Sequence, residues 1–125
     1  MSKEHNRILF VDDDTELREI VREQLAAAGY VLDEADDGTT AIAKLGKESY
    51  DLVLLDITMP GATGMDVLKF IKRKSLKCRV IMLTGMVGLS VAIDSVKLGA
   101  DDYITKPYHI EYLLASIRRS LEKKA

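Results

Sequence analysis

From Arg7 onward, short apolar runs alternate with longer amphipathic stretches. Ile8-Leu9-Phe10-Val11, Leu52-Val53-Leu54-Leu55 and Val80-Ile81-Met82-Leu83 are continuous apolar runs of strand length, and Tyr103-Ile104-Thr105 is a shorter one. Val31 to Ala35 is a weaker strand that carries Asp33 and Glu34, which places it at a sheet edge where one face and one ladder side meet water. The stretches between have helical spacing. The first is predicted to start near Thr15 with Asp14 as N-cap, and it sets Leu17, Ile20, Val21, Leu25 and Ala28 on one sheet-facing stripe before Gly29 ends it. Gly38 to Glu48 reads as a second helix. A third turns Val67, Leu68 and Ile71 inward and Lys69, Lys72, Arg73 and Lys74 outward, a basic group that reads as a solvated face. A fourth runs from about Leu89 to Leu98 and stops at Gly99. The fifth sets Ile110, Leu113, Leu114, Ile117 and Leu121 at helical spacing, with Arg118, Arg119, Lys123 and Lys124 near its end, where positive charge suits the helix dipole.

Five βα units define an α/β chain with a parallel sheet. Right-handed crossovers and helices on both faces leave few arrangements, and a single doubly wound (βα)5 domain of strand order 2-1-3-4-5, the flavodoxin-like order, is the expected one. It covers residues 1–125, with a core of about 7–121. That order sets strands one and three side by side, so Asp13 and Asp56 are expected to be neighbours.

Charge changes this picture little. With 18 basic and 20 acidic residues the net charge is −2, which gives no global pull toward nucleic acid or a membrane. No apolar stretch approaches the roughly 20 residues that cross a bilayer, so any membrane role is expected to be indirect. Cys78 is the one cysteine, and the N-terminal residues have no signal-peptide pattern, so a cytoplasmic setting is expected.

The chemistry lies at the run ends. The first run stops at Asp12-Asp13-Asp14, the second at Asp56, the third at Thr84, and the last at Lys106-Pro107. Ends of parallel strands share one sheet edge, where open α/β sheets bind ligands. Clustered carboxylates repel one another, and a hard divalent cation such as Mg2+ relieves that repulsion through oxygen ligands. A carboxylate beside such a cation can attack phosphorus and become an aspartyl phosphate. Lys106 would supply a second cation, and the Thr84 hydroxyl a hydrogen-bond donor. A helix N-cap accounts for Asp14 but poorly for Asp12 and Asp13. His5 and His109 read as surface residues, Cys78 as a passive strand-edge thiol, and Met59, Met65, Met82 and Met86 as fillers of irregular gaps.

The segments Ile8 to Asp14, Asp51 to Pro60 and Leu98 to Pro107, with Thr84 between the last two, strongly resemble the receiver domain of bacterial two-component response regulators, over about Arg7 to Leu121. The resemblance implies that Asp56 accepts a phosphoryl group from the phosphohistidine of a sensor histidine kinase or a phosphotransfer protein. Asp12, Asp13, Asp56 and the Thr58 backbone carbonyl would arrange Mg2+, Lys106 would contact the phosphoryl group, and Pro107 would form a cis peptide with Lys106. Thr84 and Tyr103 fall at the family's switch positions. The surface of the fourth helix, fifth strand and fifth helix would then carry a homodimer or partner contact. Such a chain is a signalling domain that assists only its own phosphorylation and dephosphorylation. DNA binding by these residues is not expected, because five βα units consume the chain, and an output domain can follow residue 125 in a longer protein.

Two enzyme or metal readings fit less well. A haloacid-dehalogenase-like phosphatase shares the strand-end Asp-x-Asp, but Glu16 stands where that signature needs Thr or Val. A calcium EF-hand would need a loop glycine that the Asp12, Asp14, Glu16 spacing lacks. A receiver fold that signals without phosphate typically loses an acid, the Thr or the Lys, and none is lost here. The loop before Gly64 lacks the acid that often precedes the family's glycine, which is expected to matter little. Thr58 and Met86 stand where family members often place an amide or acid that orients the hydrolytic water, although Gly85 leaves access open. A long-lived phosphoryl group is therefore expected. The decay of the phosphorylated protein in Mg2+ measures it, and loss within seconds would overturn the expectation.

Overall fold

Why acids from distant parts of the chain meet follows from strand order and register. The computed structural model describes residues 6–57, 63–85, 89–106 and 109–122, apart from the side chains of residues 84 and 89–92. Strands and helices alternate as β1 (Arg7–Val11), α1 (Thr15–Ala27), β2 (Val31–Ala35), α2 (Gly38–Lys47), β3 (Leu52–Asp56), α3 (Gly64–Arg73), β4 (Arg79–Thr84), α4 (Leu89–Lys97), β5 (Asp102–Thr105) and α5 (Ile110–Glu122). The five strands form one parallel sheet of order β2-β1-β3-β4-β5, as the sequence predicts. Val11 pairs with Leu55, Asp56 with Leu83, and Thr84 with Thr105, so Asp12, Asp56 and Lys106 all fall at the C-terminal edge.

The continuous apolar runs serve two layers because successive strand side chains point to opposite faces. Leu9, Val11, Val53, Leu55, Val80 and Met82 pack with Ala41 and Leu45 of α2 and Val67, Leu68 and Ile71 of α3. Ile8, Phe10, Leu52, Leu54, Ile81 and Leu83 pack on the other face with Val21 and Leu25 of α1 and Leu113 and Ile117 of α5. Leu98, Ala100 and Tyr103 pack at the margin of the α2 and α3 layer.

One expectation needs correction. Ile20 is 60% exposed and Ala28 is exposed, so neither belongs to the sheet-facing stripe of α1. Val21 and Leu25 are buried and Leu17 packs beside them, a stripe of period four that meets β2 and α5. Ile20, one residue from Val21, is turned about 100° around the helix and faces water. The charges on β2 also do more than face solvent. The Asp33 carboxylate accepts hydrogen bonds from the Tyr50 hydroxyl (2.6 Å) and Lys44 Nζ (2.9 Å). Burial alone would raise its pKa, but these donors hold it below the ordinary carboxylate value.

Helix ends are set by local chemistry. The Asp14 carboxylate accepts from the Leu17 amide at the start of α1, and Gly29 supplies a left-handed φ of 98° beyond its end. At α3, Thr63 accepts from the Asp66 amide while Asp66 accepts from the Thr63 amide, a capping box that does without the acid expected before Gly64.

Gly64 lies against β3. Its amide donates to the Ile57 carbonyl (3.0 Å), and an added Cβ would overlap the Asp56 carbonyl oxygen and come within 2.8 Å of Ile57 Cα. Gly64→Ala is expected to destabilise the chain by about 1–3 kcal/mol through that overpacking. Gly46, inside α2 with nothing within 4 Å of an added Cβ, gives the opposite sign. Gly46→Ala is expected to stabilise by about 0.5–1 kcal/mol. Denaturant unfolding of both variants checks the pair, and equal signs would contradict it.

Candidate functional site

Asp12 is the first residue beyond β1. Its amide donates to the Ala35 carbonyl (3.1 Å), which carries the β1–β2 pairing one step further and then releases the chain into the turn. Its side chain is fully buried. Oδ1 accepts from the Asp14 amide (2.9 Å), and Oδ2 accepts from Lys106 Nζ (2.8 Å). Its own carbonyl accepts from Arg18 of α1 (2.5 Å).

Asp56 ends β3 and is also buried. The next amide, of Ile57, donates to the Leu83 carbonyl (3.0 Å) and ties the strand end to β4. Lys106 Nζ lies 3.5 Å from Asp56 Oδ2. One carboxylate oxygen from each of Asp12, Asp13 and Asp56 falls within 4.8 Å of the others, with Asp13 the exposed member. The expected neighbours therefore meet, and Asp14 stands apart as the helix cap.

Lys106 arrives from the end of β5 with its side chain 23% exposed. Burial pushes its pKa down, but the hydrogen bond to Asp12 and the charges of Asp12 and Asp56 outweigh burial and hold it above the ordinary lysine value. It is a fixed cation at neutral pH. The three carboxylates are hard oxygen donors converging from two strand ends, a set that suits a hard divalent cation rather than a soft one.

Of the other residues the sequence singles out, Thr84 closes β4 with its backbone paired to Thr105, one residue before Lys106. Its side chain lies outside the described residues, as do Thr58, Met59, Met86, Pro107, His5, Lys123 and Lys124. Tyr103 is partly buried against the α2 and α3 layer. His109 is exposed. Cys78 is buried, and burial pushes its thiol up to about 11, which makes it a passive thiol. The sequence reading missed Arg18 and Glu34. Arg18 Nε donates to Glu34 Oε1 (3.1 Å), and Arg22 donates to Glu34 Oε2 (2.6 Å). The available signal was the pair of acids on an otherwise apolar edge strand.

A sequence profile described as the response regulator receiver domain matches residues 8–118. The chain is 38% identical to chemotaxis protein CheY of Bacillus subtilis over 117 residues, covering 93% of this chain and 98% of that protein. It is 42% identical to the transcriptional regulatory protein CpxR of Klebsiella pneumoniae over 118 residues, 94% of this chain but 50% of CpxR. Among solved structures, a CheY-like receiver domain protein from Methanospirillum hungatei superposes with a TM-score of 0.90 at 33% identity, covering 95% of both chains. CheY4 of Vibrio cholerae does so at 0.87 and 30%, covering 94% of this chain and 99% of its own. The chain belongs to the response regulator receiver domain family of two-component signalling. It spans nearly the whole of one relative and about half of the transcriptional regulators it matches, such as DltR of Streptococcus agalactiae at 50%.

Lys106 offsets two buried carboxylates, so its removal takes the neighbouring cation away from both. Lys106→Ala is expected to lower stability in metal-free buffer by on the order of 2 kcal/mol, less than a fully dry pair would lose because the lysine reaches water. Denaturant unfolding with a chelator present checks this, and unchanged stability would contradict it.

Proposed function

We propose that the chain is a phosphorylation-switched receiver in which Asp56 takes a phosphoryl group from the phosphohistidine of a sensor histidine kinase or phosphotransfer protein. The observation that carries this reading is the meeting of Asp12, Asp13 and Asp56 with the Lys106 cation at one sheet edge. An Asp56 carboxylate oxygen attacks phosphorus and forms the new O–P bond. The P–N bond breaks, and its electron pair leaves with the imidazole nitrogen. Lys106 keeps its proton and donates hydrogen bonds to a phosphoryl oxygen, since the neighbouring carboxylates favour its charged form. Asp12 and Asp13, with the Thr58 carbonyl expected from the family, would hold Mg2+ beside Asp56. Bound there, Mg2+ offsets the negative charge gathered on the phosphoryl oxygens.

The Thr84 hydroxyl is assigned to a second phosphoryl oxygen, and the Tyr103 ring to the inward switch position. Contacts that exist only with the phosphoryl group in place shift a two-state equilibrium, and only as far as their differential energy allows. The altered surface would be that of α4, β5 and α5, where Ile93, Val96 and Tyr112 are exposed and a partner or second copy can dock. In this reading the phosphoryl group held on Asp56 is the signal itself rather than an intermediate of sustained turnover.

The test is intact mass after incubation with acetyl phosphate and Mg2+, with Asp56→Ala and a metal-free sample alongside. A single Mg2+-dependent phosphoryl adduct, absent from Asp56→Ala, is expected. Folded protein that gains no adduct from acetyl phosphate or from a phosphorylated kinase would overturn the proposal and favour a phosphate-independent binding module.

A further inference from the structure

We propose that Arg18, held by Glu34, is a positioning residue that sets the relative orientation of Asp12 and Asp13 for cation binding; this rests on the receiver reading above. The carbonyl that Arg18 engages is not a distant one. It belongs to the peptide unit that joins Asp12 to Asp13, and that unit is planar, so fixing its oxygen fixes the plane from which both acidic side chains depart. On the far side of Asp12, its amide is fixed by Ala35 of β2. The guanidinium is itself anchored to the same strand, because Nε donates to Glu34, the residue before Ala35. One planar fork thus spans α1, β2 and the turn after β1, with its side chain 14% exposed.

A lysine cannot make this arrangement. Its ammonium carries its three donors on a single rotatable nitrogen, so it lacks two donors held apart in one rigid plane. Arg22, 47% exposed, pairs instead with the other carboxylate oxygen of Glu34. Groups that hold metal ligands in place in this way change metal affinity by about 10–100-fold when removed.

Position and charge make opposite predictions, which gives the test its force. A cation near a cation site repels Mg2+, so if Arg18 acts only through its charge, Arg18→Ala binds Mg2+ more tightly. If it acts by position, Arg18→Ala binds more weakly, and Arg18→Lys, which keeps the charge, is also weak.

The experiment is calorimetric titration with Mg2+ alone of the parent, Arg18→Ala, Arg18→Lys, Glu34→Gln and Arg22→Ala, with unfolding curves in chelator to separate affinity from stability. Mg2+ binding about tenfold or more weaker is expected for both Arg18 variants, with a smaller loss for Glu34→Gln. Arg22→Ala is expected to stay near the parent. Should Arg18→Ala fail to fold, Arg18→Lys and Glu34→Gln still decide the matter. Folded Arg18 variants with parental or tighter Mg2+ binding would overturn the proposal, as would an equal loss in Arg22→Ala. A parent that binds Mg2+ and gains its Asp56 adduct beside an indifferent Arg18→Ala retires the clamp alone. A parent that does neither removes the receiver reading as well.

Discussion

Asp12 and Asp56 are two buried carboxylates at adjacent strand ends, and the arrangement of this sheet edge follows from what their repulsion requires. At separations of about 4 Å and an effective dielectric near 20, like charges cost about 4 kcal/mol. The cost is imposed by register, since Val11 pairs with Leu55, and Asp12 and Asp56 each follow at the next position. Relief comes from the far edge of the sheet. Lys106 reaches Asp12 at 2.8 Å and Asp56 at 3.5 Å from the end of β5, two strands away from β3. β1, β3 and β5 therefore have to end at one level, and β4 has to hold β3 and β5 in place. A slip of one residue in β3 would reverse its buried faces and carry Asp56 away from both partners.

The hydrophobic layers make that slip costly. Leu52 and Leu54 serve one face while Val53 and Leu55 serve the other, so no register of β3 is neutral. The same rigidity extends to the turns that carry the chemistry. Gly64 sits so close to the Asp56 and Ile57 backbone that α3 acts as a stop behind the strand end. Asp12 is fixed through its amide, its carbonyl and both carboxylate oxygens, each by a different partner. A charged cluster stays in one arrangement only when its supports are stiffer than its repulsion, and here main-chain pairings and close packing act together with the Arg18 and Lys106 side chains.

The sequence made the site legible because its parts stand at the ends of unmistakable apolar runs. Four runs ending in acid, hydroxyl and cation are readable without coordinates, and a parallel sheet then brings the ends together. Asp14 was separable as a cap from its position before Thr15. The Arg18 and Glu34 pair was not readable, because it joins residues 16 apart across a helix–strand contact whose rotation periodicity alone does not fix. The same uncertainty placed Ile20 on the wrong side of α1. Helical spacing finds a stripe but not its width, and the width depends on what covers the helix. Thr63 stands where the family often has an acid, and with Asp66 it forms the capping box of α3.

The receiver reading gives the placement of Lys106 a functional logic. Lys106 serves two carboxylates at once, and neither contact is saturated, since the lysine still reaches water and Asp13 remains exposed. A phosphoryl group on Asp56 would add acceptor oxygens to a site where Lys106 already serves two carboxylates. The redistribution of Lys106 and of the strand-end hydroxyl would then be forced by stoichiometry. Because the backbone around Asp12 and Asp56 is held on several sides, the strain of that redistribution is released where support is thinnest. Tyr103, only partly buried at the margin of one layer, stands on the strand that delivers Lys106, so a change in the lysine's partners and a change in the ring's packing act on the same short element. Under the proposed function, a bistable surface on β5 and its flanking helices would use that shared strand, with the acidic edge as the rigid part and the β5 edge as the part that answers.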